Sequence, residues 1–161
     1  MLPSSRYAKV LILAALFCVL GCSKDYIPNT DLEDTKDNRR IVEFCEQYRR
    51  AVELRNVPLL LKFADARYYE DGGNMDSSDD LDRAGLAEHL QTKFREATAV
   101  RYEIRYRRVS KGRKGEVFVD YTYSASYKIP TGAGESWRHT VADNRLELSP
   151  HGETFTILAG M

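Results

Sequence analysis

Charge excess, cysteine and long apolar runs are all in short supply in this 161-residue chain. Lys plus Arg number 24 and Asp plus Glu number 24. No basic surplus is present to hold phosphates, which excludes nucleic acid as a partner class. Only three cysteines occur, and Cys18 and Cys22 sit at the N-terminal end. Cys45 alone belongs to the body of the chain, so no internal disulfide framework is available there. His89, His139 and His151 are far apart and stand at no zinc-ligand spacing. No glycine-rich phosphate loop and no internal repeat occurs. The acidic stretch holding Asp76, Ser78 and Asp80 invites a calcium reading. Leu81, however, occupies the turn position that needs glycine, and Ala87 stands where a closing glutamate belongs. Helix capping accounts for these acids better, and the sequence implies no metal and no cofactor.

The longest apolar run, residues 10–20, is about half the roughly 20 residues of a membrane-spanning helix. Arg6 and Lys9 precede it and the small residue Gly21 ends it, the pattern of an export signal. A buried N-terminal helix is the alternative, but it would show polar residues at helical spacing, and this run has none. Val19, Leu20, Gly21 and Cys22 resemble the lipobox of bacterial lipoproteins. That resemblance implies cleavage between Gly21 and Cys22, lipid on the Cys22 thiol and acylation of the new amine. Several acyl chains anchor a protein stably where one does not. Ser23 follows the cysteine in place of the aspartate that favours inner-membrane retention. The implied location is thus the cell envelope, lipid-anchored, with the outer membrane favoured over the inner. Loss of Arg6 and Lys9 with the signal would leave 22 basic against 24 acidic residues.

Residues 22–36 are polar and largely acidic, with Asp25, Asp31, Glu33, Asp34 and Pro28, and read as a flexible tether. Residues 37–161 read as one domain. Ile41, Phe44, Cys45, Tyr48 and Val52 recur at helical spacing, which places Cys45 on a buried face as an inert thiol. A second helix begins at Pro58, a favoured first-turn residue, and a brief strand over 67–70 stops at Gly72 and Gly73. Leu86, Leu90, Phe94 and Ala97 mark a third helix, with Asp79, Asp80 and Asp82 at its start. Then come long alternating strands: Val100, Tyr102, Ile104, Tyr106; Val117, Val119, Tyr121, Tyr123, Ala125, Tyr127; and Trp137, His139, Val141. The apolar parity next moves to Leu146 and Leu148, which predicts a β-bulge near residues 142–144. Phe155, Ile157 and Ala159 form a last strand.

This element order is similar to that of the nuclear transport factor 2-like superfamily, which includes ketosteroid isomerase and polyketide cyclases. The local match is best from Asn56 and Pro58 to Asp65, then at Tyr68, Tyr69, Glu70, Asp71, Gly72 and Gly73. The resemblance implies an α+β fold: a curved, mostly antiparallel sheet wrapped around three helices as a cone, its open end a pocket. Alternation then turns Tyr102, Tyr106, Tyr121, Tyr123, Trp137 and His139 into the cone, with Asp71 and Asp143 near its mouth. Hydroxyls, an imidazole and carboxylates there could orient a ligand or move a proton. An aromatic core with hydrogen-bonded tips is the plainer reading. Three functions follow: a binding module for a small apolar ligand or an envelope partner; an isomerase, dehydratase or cyclase using an acid–base pair from Asp71, His139 and Asp143; or a purely interacting protein, such as an assembly accessory or immunity factor, with a filled cone. The outward face, with Arg101, Glu103, Arg105, Arg107, Asp120, Thr122 and Ser124, is polar and implies a monomer or weak homodimer. The anchor is open to direct test. Cys22→Ala should abolish incorporation of a fatty-acid probe and leave the chain at precursor length on a gel.

Overall fold

The computed structural model describes residues 24–72, 78–132 and 134–161. The expected export signal, Gly21, Cys22, Gly73 and the Asp76 part of the acidic loop lie outside the described residues. Among the described residues three helices precede a meander: α1 (Lys36–Glu53), α2 (Val57–Phe63), β1 (Tyr69–Glu70), β2 (Leu81–Asp82), α3 (Arg83–Glu96), β3 (Ala99–Lys111), β4 (Val117–Thr131), β5 (Gly134–His151) and β6 (Thr154–Ala159). None of these helices is long and apolar enough to cross a membrane.

Each helix starts on a side chain that accepts an otherwise orphaned N–H. Thr35 takes Asn38 N at 3.1 Å, Asn56 takes Leu59 N at 3.1 Å, and Asp82 takes Ala84 N and Gly85 N at 3.0 and 2.7 Å. The apolar stripe of α1 then buries Ile41, Phe44, Cys45, Tyr48, Ala51 and Val52. These residues pack with Leu60 of α2, Leu86 of α3 and the inner face of the sheet. Four antiparallel strands run in the order β3-β4-β5-β6, and β1 pairs with β2 in a separate two-stranded sheet. Val119, Tyr121, Leu146, Leu148 and Ile157, all essentially inaccessible, make the sheet's half of the core.

Two expectations are corrected. The first is the flexible tether, which from Lys24 onward is docked. Ile27 N donates to Leu32 O at 2.9 Å, both side chains are buried, and Asp31 N donates to Tyr106 O of β3 at 2.9 Å. The Asp31 carboxylate also accepts from Arg105 at 2.7 Å and Arg107 at 3.0 Å. Two apolar residues and one acid facing arginines are enough to hold so short a segment, although its composition is that of a linker.

The second correction is the bulge. β4 and β5 pair without interruption from Val117↔Leu148 to Thr131↔Gly134. Register shifts occur elsewhere, between Tyr106 and Arg108 on β3 and between Glu147 and Leu148 against β6. With no bulge, the parity of Leu146 and Leu148 extends back along β5. Asn144, Ala142 and Thr140 face inward, and Trp137, His139, Val141 and Asp143 face out, because side chains alternate strictly along an unbroken strand.

Asp65 ties the helical layer to β6. Its backbone N–H donates to Ile157 O at 2.8 Å. Its buried carboxylate accepts from Thr156 Oγ1 at 2.6 Å and from Arg67 Nε and N at 3.0 and 2.9 Å. Hydrogen bonds from Arg67, then from Thr156, hold its carboxyl well below the usual carboxylate range. A group with a depressed folded-state pKa stabilises above its unfolded value, near pH 4, and that contribution is lost as pH falls through the folded value. Asp65→Asn should therefore cost about 1–3 kcal/mol at neutral pH. In urea titrations the gap from wild type should narrow as pH drops below about 4.

Candidate functional site

Buried tyrosines line the interior of the cone. Tyr102 and Tyr121 reach inward from β3 and β4 to meet Tyr48 of α1, and all three are buried. The hydroxyls of Tyr48, Tyr102 and Tyr121 lie close enough to shift one another's acidity. Asn144 Nδ2 joins them, donating to Tyr121 Oη at 3.1 Å and to Gly160 O at 3.3 Å. The rings pack as well: Tyr48 meets Tyr102 edge-on at 6.4 Å between centroids, and Tyr123 leans on Tyr102 at 5.5 Å and on Tyr121 at 6.3 Å. Beside them, Tyr106 Oη donates to Glu46 at 2.9 Å, and Tyr68 Oη accepts from Met161 N at 3.3 Å. Glu70 accepts from Gly160 N at the end of β6.

Burial governs the acid–base state of these phenols. It pushes Tyr102 and Tyr68 up to about 12, Tyr106 and Tyr121 higher still, and Tyr48 well above its ordinary value. All stay protonated near neutral pH, so they can donate hydrogen bonds but cannot serve as a base. Burial also pushes the Cys45 thiol far above its ordinary value, which makes it inert.

Of the residues assigned to the cone from sequence, Tyr102, Tyr106 and Tyr121 are there, and Tyr123 is half-buried against them. Trp137 and His139 are not. They stand on the outer face of β5, Trp137 under the Arg101 guanidinium at 4.8 Å and His139 Nδ1 against Ser126 Oγ at 3.0 Å. Asp143 is on the same outer face, accepting from Thr122 Oγ1 at 2.6 Å. His139 and Asp143 are four residues apart on one strand, about 13 Å, too far to share a proton. Asp71 is exposed after β1. The expected acid–base pair therefore does not assemble. Sequence reasoning missed Tyr48 and Asn144 as members of the polar cluster, and the signal for Asn144 was available in the parity of Leu146 and Leu148. Among the described residues no three of His, Cys, Asp and Glu come together to hold a metal.

Polar chemistry is concentrated outside. Asp120 accepts from Arg108 Nε at 2.8 Å and Arg145 Nε at 2.6 Å, and Arg107 Nε donates to Thr122 Oγ1 at 3.0 Å. Hydrogen bonds from Arg145 and Arg108 hold the Asp120 carboxyl below its usual range, and those from Arg105 and Arg107 do the same for Asp31. An open depression of about 640 Å³ lies here, lined by Arg107, Arg108, Asp120, Thr122, Asp143 and Arg145.

Helices on one side of a curved four-stranded antiparallel sheet are shared with many solved structures. A candidate dehydratase of the NTF2-like family from Streptomyces avermitilis superposes with a TM-score of 0.63 over 77% of this chain and 93% of its own, at 10% identity. The fold is the nuclear transport factor 2-like α+β cone. A candidate scytalone dehydratase from Novosphingobium aromaticivorans aligns with a TM-score of 0.63 at 7% identity, over 77% of this chain and 80% of that one. A candidate calcium/calmodulin-dependent protein kinase II association domain from Xanthomonas campestris gives 0.62 at 10% identity, over 88% and 94%. No family model matches the sequence, and no curated protein is significantly similar to it. At these identities the likeness speaks for the fold alone.

The two kinds of site separate in their response to mutation. Tyr121→Phe removes a buried hydroxyl from its bond with Asn144 and should cost about 1–2 kcal/mol. His139→Ala, on the outer face, should stay within about 0.5 kcal/mol of wild type. Chemical denaturation of both variants beside the parent checks the assignment.

Proposed function

We propose that this protein acts by binding a protein partner in the cell envelope, held there by lipid on Cys22, and that its cone is a structural core. The observation that carries this reading is the buried tyrosine lining. A pocket enzyme needs space for substrate and a base within hydrogen-bond reach of the proton it takes. Here Tyr48, Tyr102 and Tyr121 are buried in the cone, and His139 and Asp143 face away. The outer sheet is the richer surface, with Arg107, Arg108 and Arg145 arranged around Asp120 and Asp143. Such a rim suits a partner that brings hydrogen-bonding groups of both signs.

The sequence motif supports the anchor, and the docked N-terminal segment gives it a geometry. With the segment docked from Lys24 onward, only residues 22–23 remain to span from lipid to fold. At no more than about 3.5 Å per residue, the domain then rides within about 10 Å of the bilayer. A dehydratase- or cyclase-type enzyme is the second reading, favoured by the names of the solved neighbours and by the hydroxyl cluster beside Asn144, which could turn to a ligand oxygen.

Both readings meet in one experiment. The full chain is recovered from its native membranes in mild detergent, with and without prior protein cross-linking, and its small molecules and protein adducts are identified by mass spectrometry. The binding reading expects a specific protein adduct that Arg107→Glu with Arg145→Glu abolishes and Tyr102→Phe spares. A stoichiometric small molecule that is lost on Tyr102→Phe would overturn it in favour of the enzyme.

A further inference from the structure

The two edges of the main sheet are treated very differently. On β3, the outward-pointing main chain is capped. Asp31 N donates to Tyr106 O at 2.9 Å and Arg49 Nη1 to Tyr102 O at 3.0 Å, while Glu53 Oε1 accepts from Tyr102 N at 3.3 Å. On β5, the neighbour β6 pairs only from Glu147 to His151. The stretch 135–143 has β4 on one side and, among the described residues, no hydrogen-bonding partner on the other. Long, uncapped edges are templates for another strand, and proteins ordinarily blunt them.

The free edge has a definite polarity. Gly160 lies so close to the Arg145 carbonyl that a Cβ there would come within 1.9 Å of the oxygen, which places that carbonyl on the β6 side. Main-chain groups alternate along an antiparallel strand. Trp137, His139, Val141 and Asp143 therefore direct both N–H and C=O to the open edge, while their side chains share the outer face. Trp137 and Val141 are also among the few large apolar residues left exposed, at 43% and 59%.

We infer that this edge pairs with the same edge of a second copy, antiparallel, about a two-fold axis through Val141. In that register Val141 lies opposite the partner's Val141 and His139 opposite the partner's Asp143, and Gly160 beside Arg145 ends the pairing there. An apolar contact sits on the axis, flanked on each side by an imidazole–carboxylate pair. Neighbouring registers lack this match. An axis at His139 sets Glu135 against the partner's Asp143, and an axis at Ala142 sets His139 against the partner's Arg145. A hydrophobic or acidic peptide from another protein would satisfy the backbone equally, but it would leave this reciprocal side-chain pattern unexplained. About six main-chain hydrogen bonds and a small apolar centre make a pairing below the usual size of a stable interface. The dimer is therefore expected to be weak in solution and favoured where copies share a surface.

Single-cysteine substitutions in the full chain, in detergent or nanodiscs under mild oxidation, test the axis. Opposed residues of a hydrogen-bonded antiparallel pair stand about 5.5 Å apart at Cα, within disulfide range. Val141→Cys should form a covalent dimer well above the background set by the native cysteines. Asp143→Cys, whose two copies would be about 13 Å apart, should not. Ser124→Cys, at the centre of the outer face, should not either. Failure of the Val141→Cys variant to form a covalent dimer above background overturns the pairing. So does preferential cross-linking through Ser124→Cys, which means face-on association, or capture of the Val141→Cys variant by a different protein in place of a second copy.

Discussion

Pairing of β4 with β5 runs unbroken from Val117↔Leu148 to Thr131↔Gly134, and most of the chemistry of this molecule is distributed by it. A strand has only two faces, and a slip of one residue exchanges them. With this register Leu146 and Leu148 complete the core, and Asn144 arrives at the hydroxyl of Tyr121. The same register sends His139, Asp143 and Trp137 to the opposite side, where they can serve an interface and not a cavity.

Lining a cone with tyrosine has physical consequences that phenylalanine or leucine would not. Each ring contributes apolar burial, on the order of 25 cal/mol per Å² removed from water, but each hydroxyl must find a partner or cost free energy. Asn144 meets that demand at Tyr121, and no buried side-chain nitrogen or oxygen among the described residues lacks a partner. A satisfied network rigidifies the core. Structural neighbours named as dehydratases share the fold, and the site is what a fold leaves undetermined.

The N-terminal segment and the sheet edges obey one rule: exposed main-chain groups are either capped or available. Asp31, Arg49 and Glu53 close the β3 side. The same Asp31 draws Arg105 and Arg107 across the outer face, so the segment links edge to face. β5 has no such cover along 135–143 among the described residues.

Periodicity alone determined the helices and strands. The stripe of Ile41, Phe44, Cys45, Tyr48 and Val52 and the alternation from Val117 to Tyr127 are local patterns, imposed by burying one face, and they hold in the structure. The order of these elements implied the α+β cone through its resemblance to a known family, and Tyr102, Tyr106 and Tyr121 face inward as alternation requires. What lay beyond the sequence was pairing across distance. Whether Trp137 and His139 face in or out depends on the register against β4, because a tryptophan on an outer face looks locally identical to one in a core. Whether residues 24–35 swing free or dock depends on Arg105, Arg107 and Tyr106, some seventy residues away. Those outcomes are set by tertiary contact, since the free energy that decides them resides in partners that no local window contains.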